Sequence, residues 1–145
     1  MPNNPIALIT GASSGIGAET ALLLASKGMH VILAARRTDR LTQLSKTIEK
    51  ASGKATVLQT DLTIEAERLN LFSKLSESNL LPDILVNNAG YCAPLARVEE
   101  TAAKSLEEHL KQNLMTAFLM CKYTLPVMAR QANGFIVNVS SMAGT

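Results

Sequence analysis

Aromatic residues and an excess of one charge sign are both lacking in this chain of 145 residues. It has no Trp, two Tyr and three Phe, so few side chains could stack on nucleic-acid bases. Its 14 basic and 12 acidic residues nearly cancel, so the composition does not indicate a basic surface that would bind a nucleic-acid phosphate backbone. We therefore expect no nucleic-acid partner.

Cysteine and long hydrophobic runs are also scarce. Cys92 and Cys121 lie far apart without a Cys-x-x-Cys pair, which predicts neither a metal site nor a disulfide framework. The first five residues are largely polar and no long apolar run follows them, so no secretion leader is expected. The longest nearly apolar stretch, Leu114 to Ala129, is interrupted by Lys122 and is shorter than the ~20 residues of a membrane span. These features predict a cytoplasmic protein without a membrane partner.

Alternation of short aliphatic runs with segments of helical periodicity dominates the rest of the chain, which is 47% apolar and 18% charged. This order is typical of a parallel sheet with crossover helices. It predicts a single domain over residues 1–145, with an α/β fold that is a Rossmann-like doubly wound parallel sheet, has five strands and helices on both faces, and is truncated after strand five. The predicted strands are Ile6–Thr10, His30–Ala35, Ala55–Gln59, Ile84–Val86 and Phe135–Val139, and the predicted helices run from about Gly15 to Gly28, Thr38 to Ile48, Ile64 to Leu75 and, after a loop with Pro94, Glu100 to Met128.

A glycine-rich segment between the first strand and the first helix is the strongest local signal. Residues 10–17 read Thr-Gly-Ala-Ser-Ser-Gly-Ile-Gly. A helix start carries N–H groups without intrahelical partners and partial positive charge, so it can hold a pyrophosphate that glycines allow to come close. The alternative is a turn that binds no ligand, which the position between strand and helix disfavours.

The end of the second strand lacks an acidic residue. In a dinucleotide site an acidic side chain there accepts hydrogen bonds from the adenosine ribose, but here Ala35 is followed by Arg36 and Arg37. A guanidinium would instead bind a ribose 2′-phosphate, which predicts NADP(H) over NAD(H), with Arg36 the better candidate. The alternative is a solvated arginine pair. The same absence argues against a methyltransferase, which would need the acidic residue for the ribose hydroxyls of its adenosyl ligand.

Two further segments end strands at the edge where open α/β sheets bind ligands. Asp61 could accept a hydrogen bond from an adenine amino group, or it could cap the next helix. Residues 87–90, Asn-Asn-Ala-Gly, form a turn whose Ala89 and Gly90 are small enough for a ribose to approach the backbone. The alternative for this segment is a plain turn.

These landmarks, together with Asn113 in the long helix and Asn-Val-Ser-Ser at residues 138–141, resemble the N-terminal part of a classical, NADP-preferring short-chain dehydrogenase/reductase over residues 6–145. The resemblance implies an oxidoreductase that transfers hydride between NADP(H) and a small-molecule carbonyl or alcohol substrate. It implies Asn113 and Ser141 as catalytic residues. It implies that the cofactor is bound by Gly11, Ser13, Ser14, Ile16, Gly17, Arg36, Arg37, Asp61, Leu62, Asn88, Ala89 and Gly90.

The family's catalytic Tyr-x-x-x-Lys pair is missing from these residues. Tyr91 is followed four positions on by Leu95, and Tyr123 by Val127. We therefore expect residues 1–145 alone to be inactive, and a non-catalytic NADP(H)-binding fragment or pseudoenzyme stands as the alternative function. The resemblance further implies an open edge at strand five, exposed apolar surface and a homo-oligomer formed through the long helix around Asn113.

Overall fold

The computed structural model describes residues 4–92 and 96–141, so the loop expected around Pro94 lies outside the described residues. Strands and helices alternate along the chain up to the fourth strand. The strands are β1 (Ile6–Thr10), β2 (His30–Ala35), β3 (Lys54–Gln59), β4 (Ile84–Asn87) and β5 (Phe135–Asn138), and the α-helices are α1 (Gly15–Ser26), α2 (Thr38–Lys50), α3 (Glu65–Glu77), α4 (Ala103–His109) and α5 (Thr116–Gln131).

The five strands form one parallel sheet in the order β3-β2-β1-β4-β5. The strand order reverses direction between β1 and β4, because the chain builds the sheet outward from β1 first to one side and then to the other. This topological switch opens a crevice at the carboxyl ends of the two strands. The predicted doubly wound, five-stranded fold is thereby confirmed, and the predicted strand bounds differ from the observed ones by at most one residue.

Helices cover both faces of the sheet, as predicted. On one face Ile9, Val31 and Leu33 pack with residues of α1 and α2, and on the other face Leu8 and Ile32 pack with residues of α3 and α5. These five side chains are completely buried. Burial on both faces explains why the central strands read as continuous aliphatic runs and do not alternate with polar residues.

The last helical segment differs from the single helix predicted from Glu100 to Met128. A 3₁₀ turn at Val98–Glu100 comes first, and residues 101 and 102 are extended, with ψ of 117° and 140°. Between α4 and α5 the chain forms a π-helical turn, Leu110–Met115, in which the Thr116 hydroxyl donates to the Lys111 carbonyl at 2.9 Å. The predicted helical segment is thus observed without a break from Ala103 to Gln131, and its π-helical turn was not predicted because apolar periodicity does not distinguish an α turn from the wider π turn.

One side of α5 is buried and the other is exposed. Met120 and Thr124 are completely buried, whereas Phe118 is 61% exposed and Leu125 is 52% exposed. The apolar residues of this helix are therefore not covered on more than one side within the part of the chain that the structure describes. Among the described residues β5 has a neighbouring strand on one side only, and Phe135 on it is 52% exposed, in agreement with the open edge and apolar surface expected from the sequence.

Candidate functional site

A cavity of about 310 Å³ opens at the crevice between the ends of β1 and β4. Its lining includes all but one of the 12 residues expected to bind a cofactor, and the exception, Gly17, lies beneath the turn. The sheet topology brings these residues together from four separate segments of the chain. The lining residues are Gly11, Ser13, Ser14, Ile16, Ala35, Arg36, Arg37, Thr60, Asp61, Leu62, Thr63, Asn88, Ala89, Gly90, Gln112 and Thr116.

Two of the glycines in the first turn are required by close backbone packing. A Cβ atom at Gly17 would overlap the Asn88 Nδ2 atom and lie 2.6 Å from the Gly11 carbonyl oxygen. At Gly11 it would lie 2.9 Å from the Ala89 Cα atom, and the backbone there has a φ of +65°. Neither position can take a larger residue without moving the β1–α1 turn away from the end of β4.

A network of hydrogen bonds holds that turn against the end of β4. The Thr10 hydroxyl donates to the Val86 carbonyl at 3.1 Å and accepts from the backbone N–H groups of Asn88 and Ala89, both at 2.9 Å. The Asn88 side-chain amide donates in return to the carbonyls of Thr10 and Gly11, at 3.0 and 3.3 Å. Sequence reasoning missed Thr10 as a positioning residue, and the only signal for it was a hydroxyl at the end of a buried strand.

The start of α1 faces the cavity without a protein cap. Ser14 is the N-cap residue, but its side chain makes no capping hydrogen bond, and the first turn contains no acidic residue. Ile16 lines the cavity and is 63% exposed. The free N–H groups and the helix dipole therefore present partial positive charge to the cavity, as an anion site requires.

Two guanidinium groups line the same cavity as this helix start. The Arg37 guanidinium donates to the Ser13 hydroxyl from Nε at 3.1 Å and from Nη2 at 2.8 Å, and to the Ser14 hydroxyl from Nη2 at 2.7 Å. Arg36 lines the same cavity on the side of Asp61. The structure thus brings both predicted arginines to the cavity, and Arg37 is the one in contact with the glycine-rich turn.

Asp61 is held in a tight turn at the other side of the cavity. Its Oδ1 atom accepts hydrogen bonds from the Thr63 backbone at 2.9 Å and from the Thr63 hydroxyl at 2.7 Å. Burial raises the pKa of the Asp61 carboxyl, but the Thr63 hydrogen bonds and the charges of Arg36 and Lys111 outweigh it and leave the pKa below its ordinary value. Asp61 is therefore a carboxylate at neutral pH.

The suggestion that Asp61 caps the next helix was wrong, because the N-cap residue of α3 is Ile64 and the Asp61 side chain reaches only Thr63. Its Oδ2 atom makes no hydrogen bond to any of the described residues. One carboxylate oxygen consequently stays available as an acceptor beside the cavity.

A second cavity, of about 420 Å³, lies between the end of β5 and the long helical segment. Asn113, which sits in the π-helical turn, lines it, and its side chain binds both backbone groups of Tyr91: Oδ1 accepts at 2.7 Å and Nδ2 donates at 2.9 Å. Ser140 also lines this cavity, whereas the predicted catalytic Ser141 is not among its lining residues. The structure therefore places Asn113 and Ser140 at the cavity, and Ser141 directly follows Ser140 in the chain.

Two expected absences concern the described residues alone. In residues 4–92 and 96–141 no group of three or more His, Cys, Asp or Glu side chains is arranged to hold a metal ion. Over the same ranges, none of the helices combines the length and the apolar character that crossing a bilayer requires. The cytoplasmic location expected from the cysteine content stays a prediction.

Comparison with known proteins places this chain in a family. The family model for short chain dehydrogenases matches residues 5–145. An oxidoreductase from Thermotoga maritima is 35% identical over 139 residues, which is 96% of this chain and 54% of the relative. The chain spans about half the length of the curated relatives it matches.

Solved structures show the same similarity. A 3-ketoacyl-ACP reductase from Sinorhizobium meliloti matches with a TM-score of 0.92 and 35% identity, over 97% of this chain and 55% of that one. A metagenomic short-chain oxidoreductase, solved in complex with NADP, matches with a TM-score of 0.91 and 30% identity, over 97% of this chain and 64% of that one.

Replacing Thr10 by Val should weaken the junction between β1 and β4. Val keeps the shape but removes the acceptor of two backbone N–H groups, so we expect the free energy of unfolding to fall by roughly 1–3 kcal/mol in urea titrations. Thr10→Ser keeps the hydroxyl and serves as the matched control. Equal stability of the Val and Ser variants would contradict the role assigned to the hydroxyl.

Proposed function

Since the chain belongs to the short-chain dehydrogenase family, we propose that it is the NADP(H)-binding part of an oxidoreductase that acts on a small carbonyl or alcohol. The observation that carries the proposal is the cavity in which the uncapped start of α1 and two guanidinium groups meet. When bound, the nicotinamide of the coenzyme supplies or accepts the hydride. The residues of this chain bind and orient the coenzyme.

The pyrophosphate fits the start of α1. Residues Gly11, Ser13, Ser14 and Ile16 line the cavity at this helix start. We propose that the backbone N–H groups of this turn bind the phosphate oxygens. Gly17 contributes indirectly, because it allows the helix to lie close enough to β4 to face the cavity.

We assign the 2′-phosphate of the adenosine ribose to the arginine pair. Arg36 and Arg37 are both exposed and both line the cavity, and neither has a carboxylate of the described residues within salt-bridge distance. Arg36 is the proposed first contact. Arg37 has three of its hydrogen bonds directed to Ser13 and Ser14, so we expect it mainly to order the turn beside the pyrophosphate.

In this proposal the adenine and the riboses contact the remaining residues that line the cavity. Asp61 would accept a hydrogen bond from the adenine amino group through its unused Oδ2 atom, with Leu62 beside the ring. Asn88, Ala89 and Gly90 would line the nicotinamide side, where the turn between β4 and the following loop is held by Thr10. The NADP complex of the metagenomic relative supports this choice of coenzyme.

The catalytic roles proposed for Asn113 and Ser141 rest on the second cavity. Asn113 fixes the backbone of Tyr91 directly after the ribose turn, so it can hold this part of the site in position. The hydroxyl proposed to orient the substrate oxygen is that of Ser141, next to the cavity-lining Ser140. The 3-ketoacyl-ACP reductase among the solved structures supports a carbonyl or alcohol as the substrate class.

A non-catalytic NADP(H)-binding role is the second candidate. It is favoured by the sequence observation that neither Tyr91 nor Tyr123 has a Lys four positions later. A general acid must lie within hydrogen-bond reach of the reacting oxygen, and these 145 residues offer no tyrosine with the lysine that would lower its pKa. Both candidates require the same coenzyme site and differ only in turnover.

Arg36→Glu should reverse the coenzyme preference. Loss of a charge-assisted hydrogen bond and repulsion of the phosphate should weaken NADPH binding by at least about tenfold, with little effect on NADH. Titration calorimetry with both coenzymes measures this ratio, and Arg40→Glu on the exposed side of α2 is the matched control. Arg37→Glu is expected to weaken both coenzymes. An undiminished NADPH preference in Arg36→Glu would contradict the assignment.

Residues 1–145 should bind NADPH without oxidising it. We expect no coenzyme oxidation with a panel of ketones and aldehydes, measured as loss of NADPH absorbance, because the acid and its lysine are missing. The Sinorhizobium meliloti reductase, assayed in parallel, is the positive control. Turnover by residues 1–145 that Ser141→Ala abolishes would overturn the expectation of inactivity.

The exposed apolar side chains of the long helical segment suggest a homo-oligomer. Leu110, Leu114 and Phe118 are spaced four residues apart and are 49%, 65% and 61% exposed. We propose that this row packs against a second copy of the chain. Sedimentation velocity should show an oligomer that Phe118→Glu dissociates and that Leu23→Glu, an equally exposed position on α1, does not. A monomeric unaltered chain would refute the proposal.

A further inference from the structure

Arg68 is an arginine buried in α3, with only 6% of its surface exposed. No carboxylate of the described residues lies within 4 Å of its guanidinium. The Nη1 atom donates to the Leu62 carbonyl at 2.6 Å, and the Nε atom is buried without a partner among the described residues. Burying a guanidinium with so few partners is unfavourable compared with an apolar side chain of similar length. Its contribution to stability therefore does not explain it.

The preceding residue acts on the same segment. A carboxylate oxygen of Glu67 accepts a short hydrogen bond from the backbone N–H of Asp61. Two consecutive charged residues of α3 thus bind two main-chain groups of one dipeptide: Glu67 binds the N–H at its start, and Arg68 binds the carbonyl at its end. The dipeptide Asp61-Leu62 is held from both sides by charge-assisted hydrogen bonds, which are stronger and more directional than neutral ones.

The clamped dipeptide forms the adenosine side of the cavity. Leu62 is 6% exposed and packs with Leu71 and Leu75 in the core below α3, so its side chain anchors the segment from beneath. Asp61 lines the cavity with its Oδ1 atom bound to Thr63, and its Oδ2 atom has no hydrogen-bond partner among the described residues. With the backbone held on both sides, the direction of this free oxygen is determined before any ligand arrives, which lowers the ordering cost of binding.

We propose that Arg68, with Glu67, is a positioning residue that sets the selectivity of the site for an adenine base over a base with an oxygen at the same ring position. This inference rests on the coenzyme site proposed above and extends it to residues that do not touch the coenzyme. A rigid acceptor oxygen strengthens binding of a base with an amino group at this position and weakens binding of a base with a carbonyl oxygen there, because two acceptors repel each other. A mobile Asp61 could turn away from the carbonyl and would discriminate less.

The probes are NADPH and its hypoxanthine analogue, in which a carbonyl replaces the adenine amino group. Binding of each is measured by calorimetry on the full chain, and selectivity is the ratio of the two dissociation constants. For the unaltered chain we expect NADPH to bind about tenfold more tightly. Hydrogen exchange at the Asp61 amide in the ligand-free protein gives a second readout that does not depend on the coenzyme.

Arg68→Met removes the donors at similar length and should reduce the selectivity to about threefold or less, with faster exchange at Asp61. Arg68→Lys keeps a positive donor and should retain most of the selectivity. Lys74→Met, which removes a cation from the exposed side of the same helix, is the matched control and should change neither readout. Glu67→Ala should lower the selectivity from the opposite side of the dipeptide, and it carries the test if Arg68→Met does not fold.

The outcomes separate this inference from the proposed function. If neither compound binds the unaltered chain, the proposed function fails. If both bind but the selectivity is already close to one, or if it stays the same in Arg68→Met or Glu67→Ala while both affinities fall together, the positioning role is refuted and the coenzyme site stands.

Discussion

The junction between the ends of β1 and β4 is the constraint on which the site depends. β1 is hydrogen-bonded to β2 on one side and to β4 on the other, so the chain leaving β1 has to turn immediately at the sheet edge. Thr10 binds the backbone after β4. At Gly11 and Gly17 the atoms of Asn88, Ala89 and the turn itself leave no room for a Cβ atom. Helix α1 can therefore begin at only one place, with its amino end at the crevice.

The charge distribution of the cavity follows from which residues lie at the start of α1, after β2 and after β3. The uncapped start of α1 and Arg37, which binds Ser13 and Ser14, present positive charge on one side of the cavity. Asp61 is the carboxylate among the described lining residues, and it lies on the other side next to Arg36, whose charge helps to keep its pKa low. This arrangement keeps the carboxylate away from the helix start that is proposed to bind the pyrophosphate, and the charge of Arg36 offsets that of Asp61 on the other side.

The strands and the first turn could be predicted from sequence because their causes are local. A strand buried on both faces is a continuous aliphatic run, and a glycine-rich strand-to-helix turn is recognisable from its spacing. Thr10 and Arg68 could not be predicted, since the first acts only because β4 lies beside β1, and the second is indistinguishable in sequence from a solvated charge on a helix. The contact between Asn113 and Tyr91 could not be predicted for the same reason, because it joins residues that are distant in the chain.

The small residues after β4 connect the two cavities. Ala89 lines both of them, and a Cβ atom at Gly90 would lie 3.0 Å from the Asn113 Oδ1 atom, which is already bound to the Tyr91 backbone. Asn113 therefore lies against the Asn88–Gly90 turn at Gly90, while Thr10 binds the backbone of the same turn at Asn88 and Ala89. The wall that the two cavities share at Ala89 is thus held by hydrogen bonds from the side chains of Thr10 and Asn113 to main-chain atoms on either side of it.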